Sequence, residues 1–104
     1  MRTRILLSTA LLALASVSTT AQGTWTQKAN FGGSARAEAI AFGIGHKGYM
    51  GLGTDYNSVL FQDLWEFDPV TNAWSQKANF GGAARRLAVA FVVSGKAYVG
   101  CGAV

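Results

Sequence analysis

Cysteine and histidine occur once each in this chain, as Cys101 and His46. With a single cysteine no internal disulfide forms, so burial of apolar surface has to hold the fold together. Cys101 lies in the apolar run Tyr98-Val99-Gly100-Cys101 and reads there as a small hydrophobe. One histidine does not make the three or four converging ligands of a metal centre, and His46 reads as an exposed turn residue. Charge is also sparse, at 13% of residues. Of nine Lys and Arg, two are Arg2 and Arg4, which leaves seven basic against five acidic groups in the rest of the chain. That scattered excess argues against nucleic acid as a partner and against an anionic membrane surface. Phosphate-loop, nucleophile-elbow and paired-carboxylate signatures are missing too, so no catalytic residue, metal or cofactor is expected.

The N-terminal 21 residues have the layout of a secretory signal: Arg2 and Arg4, an apolar stretch from Ile5 to Val17, then Thr19-Thr20-Ala21. The apolar stretch is 13 residues long, against the roughly 20 needed to span a bilayer. Cleavage is expected after Ala21, leaving residues 22–104 to act outside the cytoplasm, secreted, at the cell surface or in a periplasm, with no stable membrane insertion.

What the remainder does have is internal repetition. Residues 25–53 align with residues 74–102 without a gap, at a spacing of 49 and with 17 of 29 positions identical. A period of this length marks a solenoid, propeller or array, whose units bury their apolar faces against neighbours. Glu38, Ile40 and Phe42 alternate with alanines, as Leu87, Val89 and Phe91 do in the second copy, which is the period of a strand. Gly45-His46 and Ser94-Gly95 then supply two-residue hairpin turns, the first suited to a type II′ turn. Second strands follow over 47–53 and 96–102, a polar connection over 54–61, and a third strand over 62–68. Asp68-Pro69 opens a tight turn, Pro presetting φ and Asp bonding the backbone ahead, and Trp74 opens a fourth strand. Nothing after residue 21 reads as a helix.

Tyr49-Met50-Gly51-Leu52-Gly53, Leu64-Trp65-Glu66-Phe67-Asp68-Pro69 and Thr71-Asn72-Ala73-Trp74 together resemble the kelch repeat. Gly51-Leu52-Gly53 stands where that family has adjacent glycines, and Phe67 where it usually has Tyr. The linker Asn-Phe-Gly-Gly is similar to that of secreted bacterial kelch proteins of the galactose-oxidase-like type. The resemblance covers about 80 residues and implies an all-β chain of four-stranded antiparallel propeller blades, one complete and part of a second. Such rings close with six or seven blades, so further blades of the same chain or other copies are expected to complete this one. The chain is expected to be the beginning of a longer protein and, by itself, to aggregate or oligomerise.

The resemblance implies a non-catalytic binding or scaffold module that recognises a glycan or a protein. The alternative is a piece of a propeller enzyme, an oxidase or sugar epimerase, whose catalytic residues lie outside this chain. Trp25 and Trp74 suit sugar stacking, but their shared repeat position points to packing between blades. Arg36 and Arg85 also share a repeat position. In a four-stranded blade their loops emerge beside the polar connection, which places Arg36, Asp55, Tyr56, Asn57 and Arg85 on one rim as the expected ligand-binding set. The competing expectation is that the arginines cap backbone carbonyls or pair with an acid such as Glu38.

Overall fold

The computed structural model describes residues 23–104. The expected signal segment lies outside the described residues. Those described are all-β: β1 (Ile40–Ile44), β2 (Lys47–Gly51), β3 (Leu64–Asp68), β4 (Ala73–Lys77), β5 (Val89–Val93) and β6 (Lys96–Gly100). β1 to β4 form a four-stranded antiparallel meander in chain order, and β5 and β6 form a two-stranded antiparallel sheet. Among the described residues no helix is long and apolar enough to cross a membrane.

The turns follow their residues. Gly45 takes φ 60 while His46 stays out of the left-handed region, as a type II′ hairpin requires, and His46 is exposed. Its counterpart differs, because Ser94 and Gly95 both have positive φ, at 51 and 75, which makes a type I′ turn. Asp68 Oδ1 accepts from the Val70 amide at 2.9 Å and fixes the turn between β3 and β4.

The strands are shorter than their alternating patterns predict. β1 begins at Ile40 because Glu38 is left-handed, at φ 57, and its repeat equivalent Leu87 has φ 59. β2 stops at Gly51 because Leu52 and Gly53 turn at φ 56 and 96, and Cys101 and Gly102 repeat this at 64 and 84. The third strand likewise starts at Leu64, two residues late. Equal strain at paired positions carrying different side chains means that the backbone path imposes it. At Gly53 a Cβ would stand 2.5 Å from the Ala37 carbonyl oxygen, so only glycine fits.

The two sheets meet large face against small face. Ile40 of β1 is buried, and it lines a small space of about 80 Å³ with Leu52, Leu64, Phe80 and Val99. Val99 pairs with Ala90, so the alanine face of β5 is the one turned toward β1. Small side chains there let the sheets approach closely. The opposite face of β5 and β6 is open: Val89, Phe91 and Val93 are each more than half exposed. Backbone bonds lace the copies together, with Gly53 N donating to Arg85 O at 2.9 Å and Leu87 N to Glu38 O at 3.1 Å.

Two sequence expectations fail on burial. Trp74 packs edge-on against Phe31 at 5.0 Å and donates its indole N–H to Ala29 O at 3.1 Å, whereas Trp25 is fully exposed. The shared repeat position gives packing in one copy only, because Phe31 and Phe67 surround Trp74 and no described residue covers Trp25. Cys101 is exposed rather than packed as a small hydrophobe: Leu52 at the equivalent left-handed turn is buried, but no described strand or sheet covers Cys101.

Candidate functional site

The connection between β2 and β3 folds into a compact loop around Asp55. Its Oδ1 accepts from the Asn57 and Val59 amides, both at 2.9 Å, and its own amide donates to Val59 O at 3.1 Å. Ser58, left-handed at φ 64, donates its amide to Asp55 O at 3.1 Å. A short carboxylate side chain that captures amides two and four residues ahead is the ordinary way for Asp to shape a turn. The consequence is that Tyr56 projects into solvent at 95% exposure from a loop whose backbone is fixed.

Two clefts flank this loop. One, of about 310 Å³, is lined by Thr54, Asp55, Ser58, Leu60, Arg86 and Val104. The other, of about 250 Å³, is lined by Ala35, Arg36, Ala37, Thr54, Asp55 and Tyr56. Arg86 reaches across the junction of the two copies to Glu38, Nη1 donating to Oε2 at 3.0 Å, and both side chains stay partly exposed.

The expected rim set therefore divides. Asp55 and Tyr56 sit at the clefts; Asn57 is exposed on the same loop. Arg36 touches one cleft only as a wall, because its side chain is 3% exposed and fully engaged. It forms a two-pronged pair with Asp63, Nη1 to Oδ1 and Nη2 to Oδ2, and donates to Ser34 O and Leu52 O at 3.0 and 3.2 Å. Its guanidinium also lies over the rings of Phe31 and Phe61, at 4.9 and 4.1 Å from their centroids. Arg36 thus acts as a carbonyl cap and ion-pair partner, and the acid is Asp63 rather than Glu38. The Leu52 carbonyl leaves the strand ladder at a left-handed turn and needs that donor.

Arg85 repeats half of this arrangement. It donates to Ala83 O and Cys101 O, both at 3.0 Å, and lies over Phe80 at 5.2 Å, but has no acid partner among the described residues. Arg86, Thr54 and Ser58 were not singled out from the sequence. Arg86 had a signal, since it replaces Ala37 in the repeat and so marks a position where the copies differ in role.

Two carboxylates are held below their ordinary range. Asp63 is lowered chiefly by its bonds from Arg36, with a further bond from Trp65 Nε1 at 2.8 Å, against the opposing effect of burial. Glu66, opposite Tyr49 on the sheet, is lowered first by the Tyr49 hydroxyl, which donates to Oε2 at 2.7 Å, and then by Lys47 and Lys77. The same bond raises Tyr49. Among the described residues no three His, Cys, Asp or Glu gather as a metal-binding group.

No family model and no curated protein matches this chain. The solved structure of YjhT is similar, at 29% identity and a TM-score of 0.63 over 79% of this chain. The match covers 25% of the YjhT chain, so this chain spans about a quarter of that protein's length.

Proposed function

We propose that this chain is part of an exported kelch-type β-propeller that binds a hydroxyl-rich ligand, a glycan before a protein, without catalysing a reaction. The propeller reading is supported by the four-stranded meander and by the packing of one copy's large face on the next copy's alanine face. It is further supported by a bond between equivalent repeat positions, Leu87 N to Glu38 O, as expected where one unit is rotated onto the next.

The observation that carries the binding reading is Tyr56, a nearly fully exposed aromatic on a loop locked by Asp55, beside clefts offering the Thr54 and Ser58 hydroxyls and the Arg86 cation. An aromatic face suits the C–H face of a sugar ring, while hydroxyls and a guanidinium suit its oxygens. A pre-ordered loop also spares the ordering cost of binding.

The test is a glycan array probed with the secreted protein, followed by titration of any hit against Tyr56→Ala and Arg86→Ala. Each variant is expected to bind at least ten-fold more weakly with unchanged circular dichroism. Undiminished binding by both variants overturns the rim as the site. Capture of a protein ligand through the same two residues would replace glycan by protein and keep the rim.

A further inference from the structure

Where the two copies meet, they carry different residues at two adjacent positions: Ala37-Glu38 in the first and Arg86-Leu87 in the second. The backbone is alike in both, since Glu38 and Leu87 are left-handed at φ 57 and 59. Glu38 holds the second copy at both of these positions. Its carbonyl accepts from the Leu87 amide at 3.1 Å, and its Oε2 accepts from Arg86 Nη1 at 3.0 Å. The main chain of Arg86 is fixed as well, by an exchange of N–H to O bonds with Ala103 at 2.9 Å in each direction. With the backbone pinned, the ion pair with Glu38 sets the direction of the Arg86 side chain. A guanidinium has five N–H donors, and the Glu38 bond through Nη1 is the one that the Arg86 side chain makes among the described residues. Most of its donors are therefore left for the cleft that it lines with Thr54, Asp55 and Ser58. The neighbouring Arg85 turns instead to the Ala83 and Cys101 carbonyls. The Glu38 and Arg86 side chains are 34% and 44% exposed, so their pair adds little to stability, and orientation is the role that remains.

We propose that Glu38 is a positioning residue for ligand recognition: it holds the Arg86 guanidinium toward the cleft, with Nη2 and Nε free to take a pair of ligand oxygens. The proposal rests on the glycan-binding reading given above. Glu38 is not among the residues that line the cleft, and it acts through Arg86 alone. The carboxylate of the cleft itself is Asp55, whose Oδ1 already accepts two amides of its own loop. Without Glu38 the guanidinium is drawn to the other Asp55 oxygen, which occupies the cation and narrows the space between the copies. Fixing a long side chain before the ligand arrives spares its ordering cost, a factor of about five in affinity.

Two measurements on the full chain test it. In the ligand-free protein, NMR relaxation of the arginine Nε–H groups is expected to show the Arg86 side chain ordered in wild type and mobile in Glu38→Gln, while the Leu87 amide stays protected from exchange. The glycan array is then probed with wild type, Glu38→Gln, Arg86→Ala and the double variant. Glu38→Gln is expected to weaken by about five-fold every signal that depends on Arg86. In the Arg86→Ala background it is expected to change nothing further, because it acts through that side chain. An Arg86 side chain equally ordered in wild type and Glu38→Gln overturns the proposal. So does a double variant whose loss is the product of the two single losses. An array silent for wild type refutes the glycan reading, and the relaxation comparison still decides on Glu38. Should Glu38→Gln loosen the junction, high salt screens the exposed pair in the wild type and is expected to free Arg86 in the same way.

Discussion

The two copies of the repeat share a sequence and half of a structure, and they differ in what surrounds them. Arg36 and Arg85 make the same bonds to carbonyls two residues before and 16 residues after themselves. Only Arg36 also has a carboxylate and a second aromatic ring, both supplied by residues 61–63. The first copy buries Ile40 and Leu52, whereas their equivalents Val89 and Cys101 are exposed. Related sequence therefore gives a finished packing unit only where the following residues supply both a third strand and a neighbouring sheet. The repeat encodes a local shape, and its neighbours provide the burial.

Paired substitutions break this comparison most sharply. Asp63→Asn leaves the Arg36 guanidinium buried without its counter-ion and is expected to cost about 3 kcal/mol, the low end for breaking a buried pair because Asp63 remains partly wet. Arg36→Ala should cost a similar amount in denaturant titrations, and Arg85→Ala less than about 1 kcal/mol. Equal losses from the two arginines would show that Asp63 does not distinguish the copies.

Gly53→Ala comes next. Its Cβ would meet the Ala37 carbonyl oxygen at 2.5 Å on a backbone with φ 96, for an expected loss of about 2 kcal/mol. Gly102→Ala meets the Arg86 carbonyl oxygen in the same way but strains the less buried copy, so a smaller shift in the denaturation midpoint is expected.

Acid separates the copies more gently. Asp63 and Glu66 are both lowered in the folded state, so on acidification the unfolded chain takes up protons first. Their contribution is present above the ordinary carboxylate range, near pH 4, and is lost as pH falls through the lowered folded values. Both acids lie just before or within β3, the strand that closes the first copy, so the β1–β4 sheet carries this acid sensitivity. A stability profile from pH 7 downward should flatten in Asp63→Asn, and an unchanged profile would contradict the assignment. Tyr56→Ala is the smallest expected effect on stability, within about 0.5 kcal/mol, because the side chain covers nothing.

Local chemistry was legible in the sequence: the 49-residue period, both two-residue hairpins, the Asp68-Pro69 turn and the alternation behind β1 and β5. The left-handed turns at Glu38 and Leu52 were not, since neither residue favours that conformation and the path follows from bonds to Thr54 and the neighbouring copy. The role of Asp63 was hidden for a related reason. It lies outside the 29 residues that repeat, so comparing the copies could not pair it with Arg36. The loop containing Asp55 and Tyr56 was placed from the connection alone. The third strand was expected over 62–68, but nothing in its residue pattern assigned Asp63 to Arg36.

Native-state amide exchange on the full chain tests most directly the claim that a third strand, through Asp63, turns the repeat into a stable unit. Amides of β1, β2 and β3 are expected to exchange far more slowly than those of β5 and β6, and Asp63→Asn to remove most of that difference. Equal protection in the two copies of the wild-type chain, or a difference that survives Asp63→Asn, would contradict it.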